Sequence, residues 1–565
     1  MNASASIAPN AQLEAALVQF AGQPGITADQ AAQLRNALIQ DAALLPQYNQ
    51  LAADGHLTGF GLPHGTNPNL IGSYHKASGT ITLPASALQP SGTLPDPELP
   101  ATLRIQEMSA RYAHGTWTDV AGTRHPTTQD MVDNLQALMN GSPELAGQLR
   151  QATVPPGPGQ DAPVRNFDSL PNGANAGGTY NPVTGTISLP PGVLNQPPAQ
   201  FQQNSHAVTD LTFVLGHEVQ HGLNATGKQA ARTAFLDQIA QIAQHGGPGY
   251  DYTDAIGGYQ QAARHDEARA HIAGWNALLS REQQANPVAN LPEMFTLANR
   301  QVNPGTHRVR DFVMRDPNNP QQVIARPGFS FEPDGRLTAT PANVEQMAQN
   351  YFDKPPNASR IGHHGDSDYP NYYGAHAVTA VVVNHRHYAT QPDGTVPAIR
   401  IDLAQLGLRE DLLERNGIGF PSGTTPGTRQ PYVDTGQTPH APGHLDYTRT
   451  PAGTPNSHQH VPVTPSEAFG RGAQAPSRDR TVGGTDSVAS PYTNLSGFLD
   501  RMLAAAESGD DRTFREMTRT LAERPAGQAL RAEAREAVDR QEQQVQWDAG
   551  QQAFEREQAA PVLQR

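Results

Sequence analysis

His217-Glu218-Val219-Gln220-His221 sets two imidazoles four residues apart with a carboxylate between them. On a helix, residues i and i+4 stand one above the other, so this spacing makes a two-pronged clamp for a metal ion. Glu218 lies one position round from His217 and three before His221. It is placed to reach a water held by the same ion, and so to act as a general base rather than a ligand. A zinc ion that activates water takes three protein ligands and leaves one position open. The chain has no cysteine, so the third ligand must be histidine or carboxylate, and a closed thiolate site is excluded. The candidate is Glu267, in the run His265-Asp266-Glu267-Ala268-Arg269-Ala270-His271. His271, four residues on and on the same face, is its rival or its support, and Asp266 ranks third. A donor for a developing oxyanion is sought in Tyr372, Tyr373 and His376, with Tyr373 and His376 preferred. They read as a Gly-containing loop ahead of the apolar run 377–383.

The elements that must position these groups can be read around them. Leu211, Leu215 and Val219 give the clamp an oily side that anchors it as a helix in a core. Asn224 to Gly227 reads as the end of that helix, and Ala230 to His245 as a second one, broken at Gly246 to Gly249. Ala263, Ala268 and Ala270 would let the Glu267 helix approach closely. Upstream, Tyr74, Gly79-Thr80-Ile81 and Leu83-Pro84 recur as Tyr180, Gly185-Thr186-Ile187 and Leu189-Pro190, an offset of 106. Both stretches read as hairpins. Ala37-Leu38-Ile39 and Leu45 are answered by Ala137-Leu138-Met139 and Leu145, which points to an internal duplication of helix pair, hairpin and following helix. In the first copy the corresponding segment, Leu103 to Gly115, keeps a single histidine, His114, and is expected not to bind zinc. The hairpin from Thr179 to Leu189 offers an edge strand along which an extended peptide could lie.

A chain of 565 residues suggests two or three domains with linkers. Glycine (52) and proline (49) are abundant and only 37% of the residues are hydrophobic, so a good share is expected to be loop or tail. A net charge of -14 argues against a nucleic-acid partner. No run of eighteen apolar residues would span a membrane. The first residues show neither a basic start nor an apolar core of a signal peptide, so synthesis in the cytoplasm is expected. Residues 1–120 are read as a helical and hairpin region forming a degenerate first repeat, and 121–410 as the catalytic domain. Residues 411–490 read as a flexible Gly/Pro-rich linker, and 491–565 as a helical Gln-rich C-terminal module.

His217-Glu218-x-x-His221, with Glu267 in an Asp-Glu-Ala-x-Ala context, resembles the gluzincin branch of zinc metallopeptidases over about 60 to 100 residues. The resemblance implies an α+β fold: a mainly helical zincin-like core with small hairpins or sheets. It implies zinc on His217, His221 and Glu267, with Glu218 as the general base that hydrolyses amide bonds of a peptide or protein. Two departures stand out. The 46-position step from His221 to Glu267 is longer than in thermolysin-like members, and His271 stands where those place an aspartate. The metzincin extension is absent, since Gly227 occupies its third-histidine position. The overall make-up is similar to leaderless effectors or toxins that bacteria export through type IV or type VI machines. That likeness makes the C-terminal module the expected contact for a secretion component or an immunity protein. Two other readings stand beside the peptidase: a non-catalytic zincin-like scaffold, and a zinc amidase acting on cell-wall peptides.

Overall fold

The computed structural model describes residues 8–63, 69–88, 98–119, 121–157, 159–171, 177–203, 205–246, 249–299, 308–362, 365–421, 424, 427–449, 458 and 460. The expected C-terminal module and the last part of the expected linker, 461–490, lie outside them.

The chain opens with helices α1 (Ala11–Ala21), α2 (Ala28–Gln40) and α3 (Leu44–Ala53), then strands β1 (Gly59–Gly61), β2 (Ser73–His75) and β3 (Thr80–Thr82), then α4 (Glu98–Ala113). Thr27 starts α2 through a capping box with Gln30, satisfying amide groups that a helix end otherwise leaves bare. A short hairpin, β4 (Thr116–Thr118) and β5 (Arg124–Pro126), leads to a second helix pair, α5 (Gln129–Asn140) and α6 (Pro143–Ala152). Strands β6 (Asn166–Ser169), β7 (Thr179–Asn181) and β8 (Thr186–Leu189) follow, then the short α7 (Pro191–Leu194) and α8 (Pro198–Gln203). Two long helices come next, α9 (Ser205–His245) and α10 (Thr253–Ala285).

The two small sheets share one topology. β1 pairs parallel with β3 and β2 antiparallel with β3; β6 pairs parallel with β8 and β7 antiparallel with β8. Tyr74 lies opposite Ile81 in one and Tyr180 opposite Ile187 in the other. The Tyr74 hydroxyl donates to the His56 carbonyl (2.6 Å) and the Tyr180 hydroxyl to the Pro163 carbonyl (2.8 Å). Gly79 and Gly185 turn their hairpins at φ +63° and +64°. A Cβ there would come within 2.9 Å of the His56 carbonyl oxygen and 2.8 Å of that of Pro163, so glycine is required twice for the same reason. The repeat expected from spacing is thus present as helix pair, three-stranded sheet and following helix. One hydrophobic core runs through both copies, from Leu13 to Val219 and Ala277, so packing does not break at residue 120.

α9 is one helix of 41 residues, and the stop expected at Asn224–Gly227 does not occur. A glycine inside a helix costs only about 1 kcal/mol. Burial holds α9 on both sides of it: Leu211, Leu215 and Val219 in the first core, Phe235 and Ile239 in a second. α10 lies across α9 where side chains are smallest. A Cβ on Gly216 would sit 2.7 Å from that of Ala277, and one on Gly274 would sit 2.7 Å from the Phe213 carbonyl oxygen.

Beyond α10 come α11 (Leu291–Asn299), the hairpin β9 (Val313–Arg315) and β10 (Val323–Ala325), α12 (Pro341–Tyr351) and α13 (Pro356–Ser359). The region ends with α14 (Tyr369–Tyr388), β11 (Ile399–Ile401), α15 (Leu403–Leu406), α16 (Glu410–Asn416), β12 (Arg429–Asp434) and β13 (Ala441–Asp446). The described part of the expected linker, up to residue 449, therefore contains folded elements: β12 pairs parallel with β11 and antiparallel with β13. Tyr432 and Leu445 enter the second core, which few but well-placed apolar residues suffice to fill. The described part is an α+β fold, mainly helical, with small sheets. No helix among the described residues is long and apolar enough to cross a membrane.

Candidate metal centre

Helical spacing brings His217 and His221 onto one face of α9 with their Nε2 atoms 3.0 Å apart. α10 supplies Glu267, whose Oε2 lies 3.6 Å from His217 Nε2 and 3.9 Å from His221 Nε2. Tetrahedral zinc with bonds of about 2.0–2.1 Å holds its ligand atoms roughly 3.3 Å apart, so this triangle has the size and the N, N, O chemistry to hold the ion. The His217, His221 and Glu267 side chains are 12%, 12% and 9% exposed, so all three are largely withdrawn from solvent.

Two of the three ligands are held from behind. His221 Nδ1 is 3.0 Å from Asp266 Oδ2. With the proton on Nδ1, the Nε2 lone pair faces the centre, the usual way a carboxylate orients a metal-binding imidazole. Asp266 is itself fixed by Asn224 Nδ2 (2.9 Å) and Lys228 Nζ (2.7 Å). The other oxygen of Glu267, Oε1, accepts the Tyr373 hydroxyl at 2.7 Å.

Electrostatics separate the two imidazoles. Burial pushes His217 below its ordinary value, only partly opposed by Glu267. For His221 burial is outweighed by the charge and hydrogen bond of Asp266, which raise it to about 9. Glu267 feels burial too, but the histidines bring it down to about 2. Asp266, likewise buried, is held far below the usual carboxylate range by His221 and Lys228.

Glu218 is buried, its Cγ 3.2 Å from where a Gly178 Cβ would be. Gly178 leads directly into β7, an edge strand of its sheet, so the general-base candidate and that strand are neighbours.

Several expectations change. Asp266, ranked third as a ligand, instead supports His221. His271 is neither ligand nor support for Glu267. Its Nε2 lies 3.1 Å from Asp311 Oδ2, and its ring stacks on Tyr351 at 3.9 Å. Tyr372, Tyr373 and His376 do not form a loop, because Asp368 caps α14 and Pro370 fits its first turn. Tyr373 is engaged with Glu267, and His376 packs edge-on against Tyr372 at 5.1 Å. Burial, then Arg449 and Arg232, lower His376 to about 4, and Arg232 lies on α9 well beyond His221. Sequence reasoning missed the groups beside the centre. The Tyr351 and Tyr369 hydroxyls bond to one another, the Tyr351 ring is 6.4 Å from that of His217, and both phenols feel the charge of Glu267. Arg308 pairs with Asp210 and feels Glu218, Tyr351 and Tyr369. Nothing in local spacing marks these residues.

No family model, no curated protein and no solved structure matches the chain.

Proposed function

We propose that the chain is a zinc-dependent hydrolase of peptide amide bonds with a zincin-like core. His217, His221 and Glu267 hold the ion and Glu218 is the general base. The convergence of those three ligand atoms, two of them backed by Asp266 and Tyr373, is the observation that carries this reading. Zinc bound there supplies Lewis acidity and lowers the pKa of a water toward neutrality. Glu218 takes the proton from the attacking water and returns it to the leaving amine. Tyr351, Tyr369 and Arg308 serve as donors for the developing oxyanion in place of Tyr373, which is bonded to Glu267, and of His376. An extended substrate pairs its backbone with β7 beside Glu218, gaining affinity from main-chain hydrogen bonds.

The test compares wild type, His217→Ala and Glu218→Gln for zinc by elemental analysis and for hydrolysis of casein and of cell-wall fragments. His217→Ala should lose one equivalent of zinc. Glu218→Gln should keep it and lose about 10²- to 10⁴-fold in rate. Cleavage of cell-wall fragments alone would move the substrate to a cell-wall amide. Equal activity in wild type and Glu218→Gln would remove Glu218 from its role as base, and a wild type that binds no zinc at this centre and cleaves neither substrate would leave a scaffold.

A further inference from the structure

A second gathering of imidazoles and carboxylates lies where α16 and β13 meet the segment around residue 460. Glu414, in the last turn of α16, is only 1% exposed. Its Oε1 accepts the backbone N–H of Asp446 at 2.8 Å, and its Oε2 lies 2.8 Å from His458 Nε2. Asp446 is arranged likewise: Arg429 Nε holds Oδ1 at 3.0 Å, while Oδ2 lies 3.7 Å from the same His458 nitrogen. His460 Nδ1 approaches Glu414 Oε2 at 2.9 Å, and its Nε2 lies 3.7 Å from Glu410 Oε2. Each of the two carboxylates thus has one oxygen fixed by the chain and the other facing His458 Nε2, with His460 Nδ1 also on Glu414 Oε2, the pattern of a ligand set oriented from outside.

We propose that Glu414 Oε2, Asp446 Oδ2 and His458 Nε2 bind a divalent cation of the zinc type, with His460 and Glu410 flanking it. Glu414 Oε2 and Asp446 Oδ2 both face His458 Nε2, at 2.8 and 3.7 Å, and a divalent ion seated among these three atoms would bind all of them at once. One nitrogen and two carboxylate oxygens suit zinc better than the all-oxygen sets of calcium or magnesium. The ion ties His458 to α16 through Glu414 and to β13 through Asp446. None of these residues belongs to the α9–α10 centre, and the inference does not rest on the hydrolase reading.

The experiment uses the full chain carrying His217→Ala and His221→Ala, so that the first centre is disabled in every arm. The protein is loaded with zinc, dialysed against metal-free buffer at neutral pH and analysed for zinc per chain, with circular dichroism reporting folding. The double variant should retain one equivalent and melt at a higher temperature with zinc than without. Adding His458→Ala should remove both effects; that side chain is 22% exposed, so its loss opens no core. Asp446→Asn should weaken retention in the same direction. A folded double variant that retains no zinc overturns the proposal. So does retention that His458→Ala leaves unchanged.

Discussion

In the first copy of the repeat, α4 stops at Ala113, and His114 and Gly115 turn the chain into β4. In the second copy α9 passes beyond its sheet and continues to His245. The difference decides what can be built at the end of each helix. Near the end of α4, Arg111 Nη2 donates to Glu107 Oε2 at 2.9 Å and to the Arg165 carbonyl at 2.6 Å. His114 stacks on His56 at 3.5 Å and lies 2.8 Å from the Tyr74 hydroxyl. After α4 the chain returns as a hairpin and α5, whereas after α9 it returns as α10, laid across α9 through Gly216 and Gly274 with Asp266 and Glu267 on its near side. Two imidazoles on one helix are only a clamp. A helix long enough to be crossed by another brings the clamp a carboxylate and a group that orients its second imidazole, because Glu267 and Asp266 arrive on the same crossing turn.

The strongest way to break this comparison is to remove one histidine from each copy. His217→Ala should abolish hydrolysis and one equivalent of zinc, whereas His114→Ala should leave turnover and zinc content unchanged. Loss of zinc in His114→Ala would mean that the first copy is not the inert one.

A smaller effect tests what the crossing helix adds behind the ligands. Asp266→Asn and Tyr373→Phe should each weaken zinc binding about 10- to 100-fold, read by competition with a chelator. If Tyr373→Phe keeps full affinity and loses turnover, the hydroxyl acts on substrate and not through Glu267.

The crossing itself can be probed with two glycines that differ only in surroundings. Gly274→Ala drives a methyl against the Phe213 carbonyl and should cost about 1–3 kcal/mol by overpacking, measured by urea unfolding. Gly227→Ala, on α9 with nothing within 4 Å of the added Cβ, should gain about 0.5–1 kcal/mol from helix propensity. Equal effects would show that the close approach of the two helices is not what the small residues maintain.

How much of this was legible beforehand follows the reach of each interaction. The ligand pair comes from a spacing of four, and the hairpins and the capped start of α2 from local turn chemistry, so all could be read from neighbouring residues. Glu267 could be singled out as a candidate because a zinc site would need a third ligand and cysteine is absent, and the structure places it beside both imidazoles. The support of His221 could not be read this way, since Asp266 lies 45 positions away and the Tyr373 bond to Glu267 spans 106. Asn224 and Gly227 carry stop signals, yet Asn224 spends its amide on Asp266 and α9 is buried on both sides of them, so tertiary packing outweighs propensity. Residues 429–446 are poor in large apolar groups, but β12 turns Gln430, Tyr432 and Asp434 inward at every second position, a pattern that composition averages away.

The finest distinction between the copies is electrostatic. In the metal-free chain Asp266 raises His221 from its ordinary 6.5 to about 9. A folded-state pKa above the unfolded one means that the imidazolium–carboxylate pair contributes fully below about pH 6.5 and is lost as pH rises through about 9. Burial, with His56 and Lys76 adding to it, lowers His114 to about 4. There the unfolded chain binds the proton more readily, so the contribution is present above about pH 6.5 and lost as pH falls toward about 4. Imidazole titration by NMR, assigned with His114→Ala and His221→Ala, should show the two side chains moving in opposite directions from a common ordinary value. Zinc requires the Nε2 lone pair of His221 and therefore a deprotonated ring at that atom, so loading near neutral pH should release a proton. Calorimetry in buffers of different ionisation enthalpy counts it. A His221 that titrates at its ordinary value in the metal-free chain, with no proton released on loading, would leave Asp266 a bystander and reduce the two copies to a difference in ligands alone.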